Sequence, residues 1–126
     1  GLPGGKIEKS EHVSDAAQRE IFEETGIKAD FVNHLGFVSE HLREKGLVHQ
    51  HFLLHLCELK PQTTTFVSGR EGALQWFPLS DLSLHKEQII PSDYVMIEKM
   101  VLQQGKNYYN CVVEKNGDDH VIQKFE

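Results

Sequence analysis

Cysteine, tryptophan and proline are scarce in this 126-residue chain, at two, one and four residues. Cys57 and Cys111 are too few for a disulfide scaffold and lack the spacing of a metal cluster. Positive charge is also short. Against 19 Asp+Glu stand 13 Lys+Arg, a formal net charge of −6, which argues against generic nucleic-acid binding through a basic surface. No apolar run approaches the roughly 20 residues of a membrane span, and no basic-then-apolar stretch opens the sequence. What is present is 39% apolar and 25% charged residues, too apolar for a disordered chain and too polar for a membrane protein. A chain of this length can bury about two-thirds of its unfolded surface. The expectation is one soluble, cytoplasmic domain over residues 1–126.

The pattern predicts the following elements. Residues 1–13 read as a loop, opening on Gly1-Leu2-Pro3-Gly4-Gly5, turn chemistry that normally sits between elements. Either something upstream is missing, or a later segment stands in for it. Ser14–Thr25 reads as a helix capped by Ser14, with Val13, Ala16, Ala17 and Ile21 on one side and Gly26 as its stop. Residues 30–40 and 47–59 read as strands joined by a turn at Gly46, and Pro61–Gly72 as a loop. A short strand is expected at 74–79, then a helix over Ser92–Gln104, started by Pro91 and stopped by Gly105. Two last strands, 108–115 and 119–125, flank the hairpin signal Asn116-Gly117. The fold class is α+β.

The first helix carries the chemistry. At about 100° per residue, Glu20, Glu23 and Glu24 share one arc near its C-terminal end. Anions there oppose the helix dipole at roughly 0.3–1 kcal/mol each, and Glu20 and Glu24 form a like-charged i,i+4 pair. Arg19 offsets part of this through Glu23 but cannot balance three anions. A divalent cation would, since clustered carboxylate oxygens suit Mg²⁺ or Mn²⁺. The bland alternative is a solvated acidic face.

The Gly-rich loop tips the choice. Gly5, five residues, Glu11, seven residues and Arg19-Glu20-Ile21-Phe22-Glu23-Glu24-Thr25-Gly26-Ile27 reproduce the pattern GX5EX7REUXEEXGU at every defined position. The sequence therefore resembles the Nudix hydrolase family, through this box, the preceding LPGG and the later GREGALQWFPLSDL. The resemblance implies an α/β/α sandwich with a mixed sheet. The strands the family places before its box are absent here. The final segment Cys111–Phe125 has the alternation and turn of that strand pair. Either it docks beside the strands of 30–59, or the sheet is left with open edges that invite association, a homodimer included.

The resemblance also implies a function: Mg²⁺- or Mn²⁺-dependent hydrolysis of a nucleoside diphosphate derivative, by water attack at phosphorus. The alternative is a Nudix-fold module that binds nucleotides without turnover. By resemblance, Glu20, Glu23 and Glu24 supply metal ligands and one of them the base. The Gly4 carbonyl is a further ligand, Arg19 orients carboxylates, and Glu8 and Glu11 complete the surroundings or bind further metal. Glu71, in the later loop, is a candidate ligand or base, or an ordinary loop carboxylate.

Other residues carry weaker signals. Trp76 and Phe77 could stack a base, although strand aromatics more often belong to a core. His49, His51 and His55 alternate on one strand face, yet no carboxylate or cysteine completes a metal site, so a polar or solvated face is the better account. Both cysteines read as small buried hydrophobes. Leu42-Arg43-Glu44-Lys45 carries no subgroup marker. Arg43 and Lys45 there could touch phosphate or simply line a solvated turn.

Overall fold

The computed structural model describes residues 2–65 and 74–126. Helix α1 covers Val13–Thr25. It starts one residue before the expected cap, so Ser14 lies inside the first turn and His12 is the N-cap. Asp15 supplies the capping bond instead, its carboxylate accepting the His12 amide at 3.1 Å, with its charge at the favourable end of the dipole. Gly26 stops the helix as expected: its φ of 76° is left-handed, and its N–H reaches the Phe22 carbonyl at 2.8 Å.

Strands β1 (Ala29–Glu44) and β2 (Leu47–Pro61) are longer than the pattern predicts, β1 running through the charged HLRE stretch. They meet at Lys45-Gly46, both at positive φ (53° and 78°), the geometry that a two-residue hairpin connection requires. Strand β3 (Tyr108–Asn116) lies parallel to β1, from Phe37 opposite Tyr108 to Glu44 opposite Lys115. Strand β4 (Asp119–Phe125) returns antiparallel to β3 around Gly117. The order β2-β1-β3-β4 makes a mixed four-stranded sheet. The terminal hairpin thus docks beside β1, as one of the two expectations had it.

Two predicted elements differ. Residues 74–78 form no strand, and a 3-10 helix follows at Leu79–Gln88. Pro78 cannot donate to a ladder, and the Trp76 ring N–H is given to the Thr64 carbonyl at 2.7 Å. Helix α2 covers Pro91–Met96, and a π-helical turn, Ile97–Leu102, continues it. Gln104, at φ 48°, takes the left-handed position after this turn, not Gly105. Gly105 is needed for a different reason: a Cβ there would stand 2.6 Å from the Tyr109 hydroxyl.

The chain divides into two compact units. The first comprises Leu35–Leu56 and Leu79–Glu126, with a core of Val38, Leu56, Met96, Met100, Tyr109, Cys111 and Val113. The second comprises Leu2–His34 and Cys57–Pro78, with Ala16, Thr25, Ile27 and Ala29 buried. Among the described residues, no helix is long and apolar enough to cross a membrane.

Candidate functional site

The carboxylates singled out in the sequence gather in the second unit around one guanidinium. Arg19, at the middle of α1, donates from Nε to Glu11 Oε2 at 3.0 Å and from one terminal nitrogen to Glu11 Oε1 at 2.6 Å. That is the bidentate fork for which arginine is shaped. Its other terminal nitrogen reaches Glu20 at 2.8 Å and Glu23 at 3.2 Å, and lies 3.8 Å from Glu8. The Lys6 carbonyl accepts a further bond at 2.9 Å. The expected i,i+4 pairing with Glu23 is present. The bond to the Lys6 carbonyl is new, since a main-chain acceptor leaves no mark in the sequence.

This web sets the local electrostatics. The Arg19 hydrogen bonds, with the Glu8 amide donating to Glu11 Oε1 at 2.8 Å, hold the Glu11 carboxyl below the usual carboxylate range. The Glu11 and Glu20 carboxylates in turn raise the proton affinity of Arg19. Glu20 and Glu11 are little exposed, whereas Glu23 and Glu8 stand largely in solvent.

The Gly-rich loop approaches the same helix. The Gly4 amide donates to Glu24 Oε1 at 3.3 Å, so the loop and the last turn of α1 are neighbours. The need for glycine falls on the next residue: a Cβ on Gly5 would collide with the Glu20 carboxylate, while one on Gly4 would meet nothing within 4 Å. Clearance for Glu20 is thus the structural reason for a small residue at Gly5.

The donor set suits a hard divalent cation in kind, being carboxylate oxygens beside a backbone loop. Among the described residues, no three His, Cys, Asp or Glu side chains already converge to hold a metal. Arg19 instead draws Glu11, Glu20 and Glu23 towards itself. The residues therefore fit such an ion by chemistry and neighbourhood, and closing round it requires Glu20 or Glu23 to turn from Arg19.

Glu71 lies outside the described residues. Trp76 departs from the core reading: it is 53% exposed, with Phe77 half-buried beside it. His49, His51 and His55 face solvent on β2. His51 pairs with the Ser39 hydroxyl at 2.8 Å and meets His41 edge-on at 4.6 Å between ring centroids, which agrees with a polar face. Arg43 lies 3.6 Å from Glu114 and bonds the Gly46 carbonyl, and Lys45 sits in the hairpin turn, so this stretch is turn architecture. Cys111 is fully buried and Cys57 half-buried, and burial pushes both thiols up, Cys111 to about 12.

Comparison with known proteins places the chain in a family. Residues 1–100 match the NUDIX domain. The human protein nucleoside diphosphate-linked moiety X motif 6 is 37% identical over 84 residues, 65% of this chain and 26% of that protein. Nudix hydrolase 6 of Arabidopsis thaliana is 36% identical over 84 residues, 64% of this chain and 28% of that protein. The chain thus spans about a quarter of the length of the curated relatives it matches. Among solved structures, the mutator protein MutT of Bacillus halodurans gives a TM-score of 0.73 at 20% identity. That match covers 98% of this chain and 78% of that one, and it bears on the fold alone.

Proposed function

From the premise that this chain belongs to the Nudix family, we propose that it hydrolyses the pyrophosphate linkage of a nucleoside diphosphate derivative, using Mg²⁺ or Mn²⁺. The observation that carries this reading is the Arg19 web: one guanidinium joined to Glu11, Glu20 and Glu23, with Glu24 bonded to the Gly-rich loop. Glu20, Glu23 and Glu24, with the Gly4 carbonyl, would hold the ion. The bound ion would neutralise phosphate oxygens and acidify water. Arg19 orients the carboxylates through its bonds to Glu20 and Glu23. One of the three helix carboxylates takes the proton of the attacking water. The water oxygen then bonds to phosphorus as the bridging P–O bond breaks, giving a nucleoside monophosphate and the phosphorylated second moiety. Glu8 stands at the solvent edge of the web and Glu11 anchors Arg19, so neither is a primary ligand in this reading. A cytoplasmic setting and a nucleotide-sized substrate complete the proposal.

One observation favours a second reading, nucleotide binding without turnover: no three-ligand arrangement stands preformed among the described residues. A panel of nucleoside diphosphate derivatives, incubated with and without Mg²⁺ and resolved into products, separates the two. Metal-dependent release of a monophosphate supports hydrolysis. Saturable binding across the panel with no product would support the binding module.

A further inference from the structure

The two edges of the four-stranded sheet are built differently. Strand β4 bounds one side. It is seven residues long and carries Asp119 and Lys124, and its pairing with β3 is interrupted by a register shift at Val112/Val113. Short length, charge and a bulge are the usual means by which a sheet edge resists joining another chain. Strand β2 bounds the other side. It is fifteen residues long, and residues 47–56 contain no Asp, Glu, Lys, Arg or Pro. His49, His51 and His55 are the only ionisable side chains of that run. Leu47, Val48 and Leu53 stand more than half exposed on it, whereas Leu54 and Leu56 turn inward to the core of the first unit. Among the described residues, the sheet places β1 on one side of β2 and no strand on the other.

We propose that residues 47–56 of β2 are where a second copy of this chain docks, the two β2 strands running antiparallel about a two-fold axis so that the sheets join into one. An edge strand offers a row of backbone donors and acceptors, and two identical strands set antiparallel satisfy each other's. The same patch is used on both copies, so the assembly closes at two and leaves no β2 edge to recruit a third. Charge selects this partner. With no formal charge in the run, no antiparallel register within it sets like charges opposite one another, the placement that destabilises paired strands. A strongly charged strand would find no counter-charge here. A second β2 meets the edge with its own exposed Leu47, Val48 and Leu53, and apolar pairs across strands are favourable.

Sedimentation equilibrium of the full chain over about 1–100 μM is expected to show a reversible equilibrium that ends at a dimer. Leu53 is exposed, so the fold of one copy does not depend on it. Leu53→Lys brings two ammonium groups towards one another across the pair, and symmetry counts the change twice, so the dimer Kd should rise about tenfold or more. Val121→Lys, the matching change at an exposed site on β4, should leave the Kd unaltered. A monomer throughout the range would overturn the proposal, as would species that grow beyond two copies. So would a dimer that Leu53→Lys leaves intact or that Val121→Lys dissociates. If Leu53→Lys fails to fold, hydrogen exchange on the wild type decides. Dilution through the same range is expected to speed exchange at amides of 47–56 relative to those of 108–116. A ratio between the two segments that ignores concentration would overturn it.

Discussion

Glu11 and Glu40 are the same chemistry, each largely withdrawn from water, in opposite circumstances. Glu11 faces a bidentate guanidinium and a backbone amide and is held ionised. Glu40 faces a thiol, a hydroxyl and the like charge of Asp93, and is pushed towards its neutral form. Burial alone therefore does not mark a working carboxylate. Arg19, which holds the Glu11 carboxyl below its ordinary range and gathers Glu20 and Glu23 beside it, separates the cluster suited to cation and phosphate chemistry from the carboxyl that serves packing.

The contrast can be broken first at the helix end. Glu24→Gln is expected to lower turnover by about 10²–10³-fold, the loss that several kcal/mol of charge stabilisation implies. Its melting temperature without metal should hold or rise slightly, because one anion leaves a repulsive helix end. A variant that melts earlier yet turns over normally would sink that assignment.

Next in size is Gly5→Ala. Its methyl must displace the Glu20 carboxylate, and misplacing a ligand commonly costs 10–100-fold. Gly4→Ala, which meets nothing within 4 Å, should cost less in the same assay. Equal losses would place the steric need elsewhere in the loop.

Divalent ion should act on stability. At about 100 times its Kd, an ion that binds only the folded state adds about 2.7 kcal/mol. Millimolar Mg²⁺ or Mn²⁺ is therefore expected to raise the melting temperature, and less so in Glu24→Gln. Curves indifferent to both ions would contradict the proposed ligand set.

The smallest effect concerns acid. Because the folded Glu11 carboxyl is depressed, its contribution is present above the ordinary carboxylate range and is lost as pH falls through the folded value. Melting of wild type should steepen downwards over that acid window, and Glu11→Gln should flatten the slope.

Much of this was legible in the sequence where a local rule had one strong solution. Gly26 stops α1 because the left-handed site tolerates glycine best, and Asn116-Gly117 marks the last hairpin for a similar reason. The carboxylate face of α1 follows from helical spacing, and the pairing of Arg19 with Glu23 from i,i+4 geometry. Tertiary contacts were not legible. The forked bond to Glu11 joins residues eight apart, Trp76 is turned outward to the Thr64 carbonyl, and Gly105 is small because Tyr109 comes close. Glu40 did leave a signal, a carboxyl at an apolar parity between Val38 and Leu42. Alternation alone could not say that Ser92 and Cys111 would be there to receive it.

The most direct test of the account sets the two kinds of carboxylate against each other in one assay: Mg²⁺-dependent turnover of Glu20→Gln and Glu40→Gln on the best substrate of the nucleotide panel. Glu20, held by Arg19 and crowded against Gly5, is expected to lose about 10²-fold or more on conversion to the amide. Glu40→Gln should stay within about twofold of wild type, since Glu40 takes no part in the Arg19 web and an amide keeps the size of a carboxyl. A Glu20→Gln enzyme with wild-type turnover, or a Glu40→Gln enzyme that folds but is inactive, would contradict the claim that the Arg19 web is the seat of the chemistry.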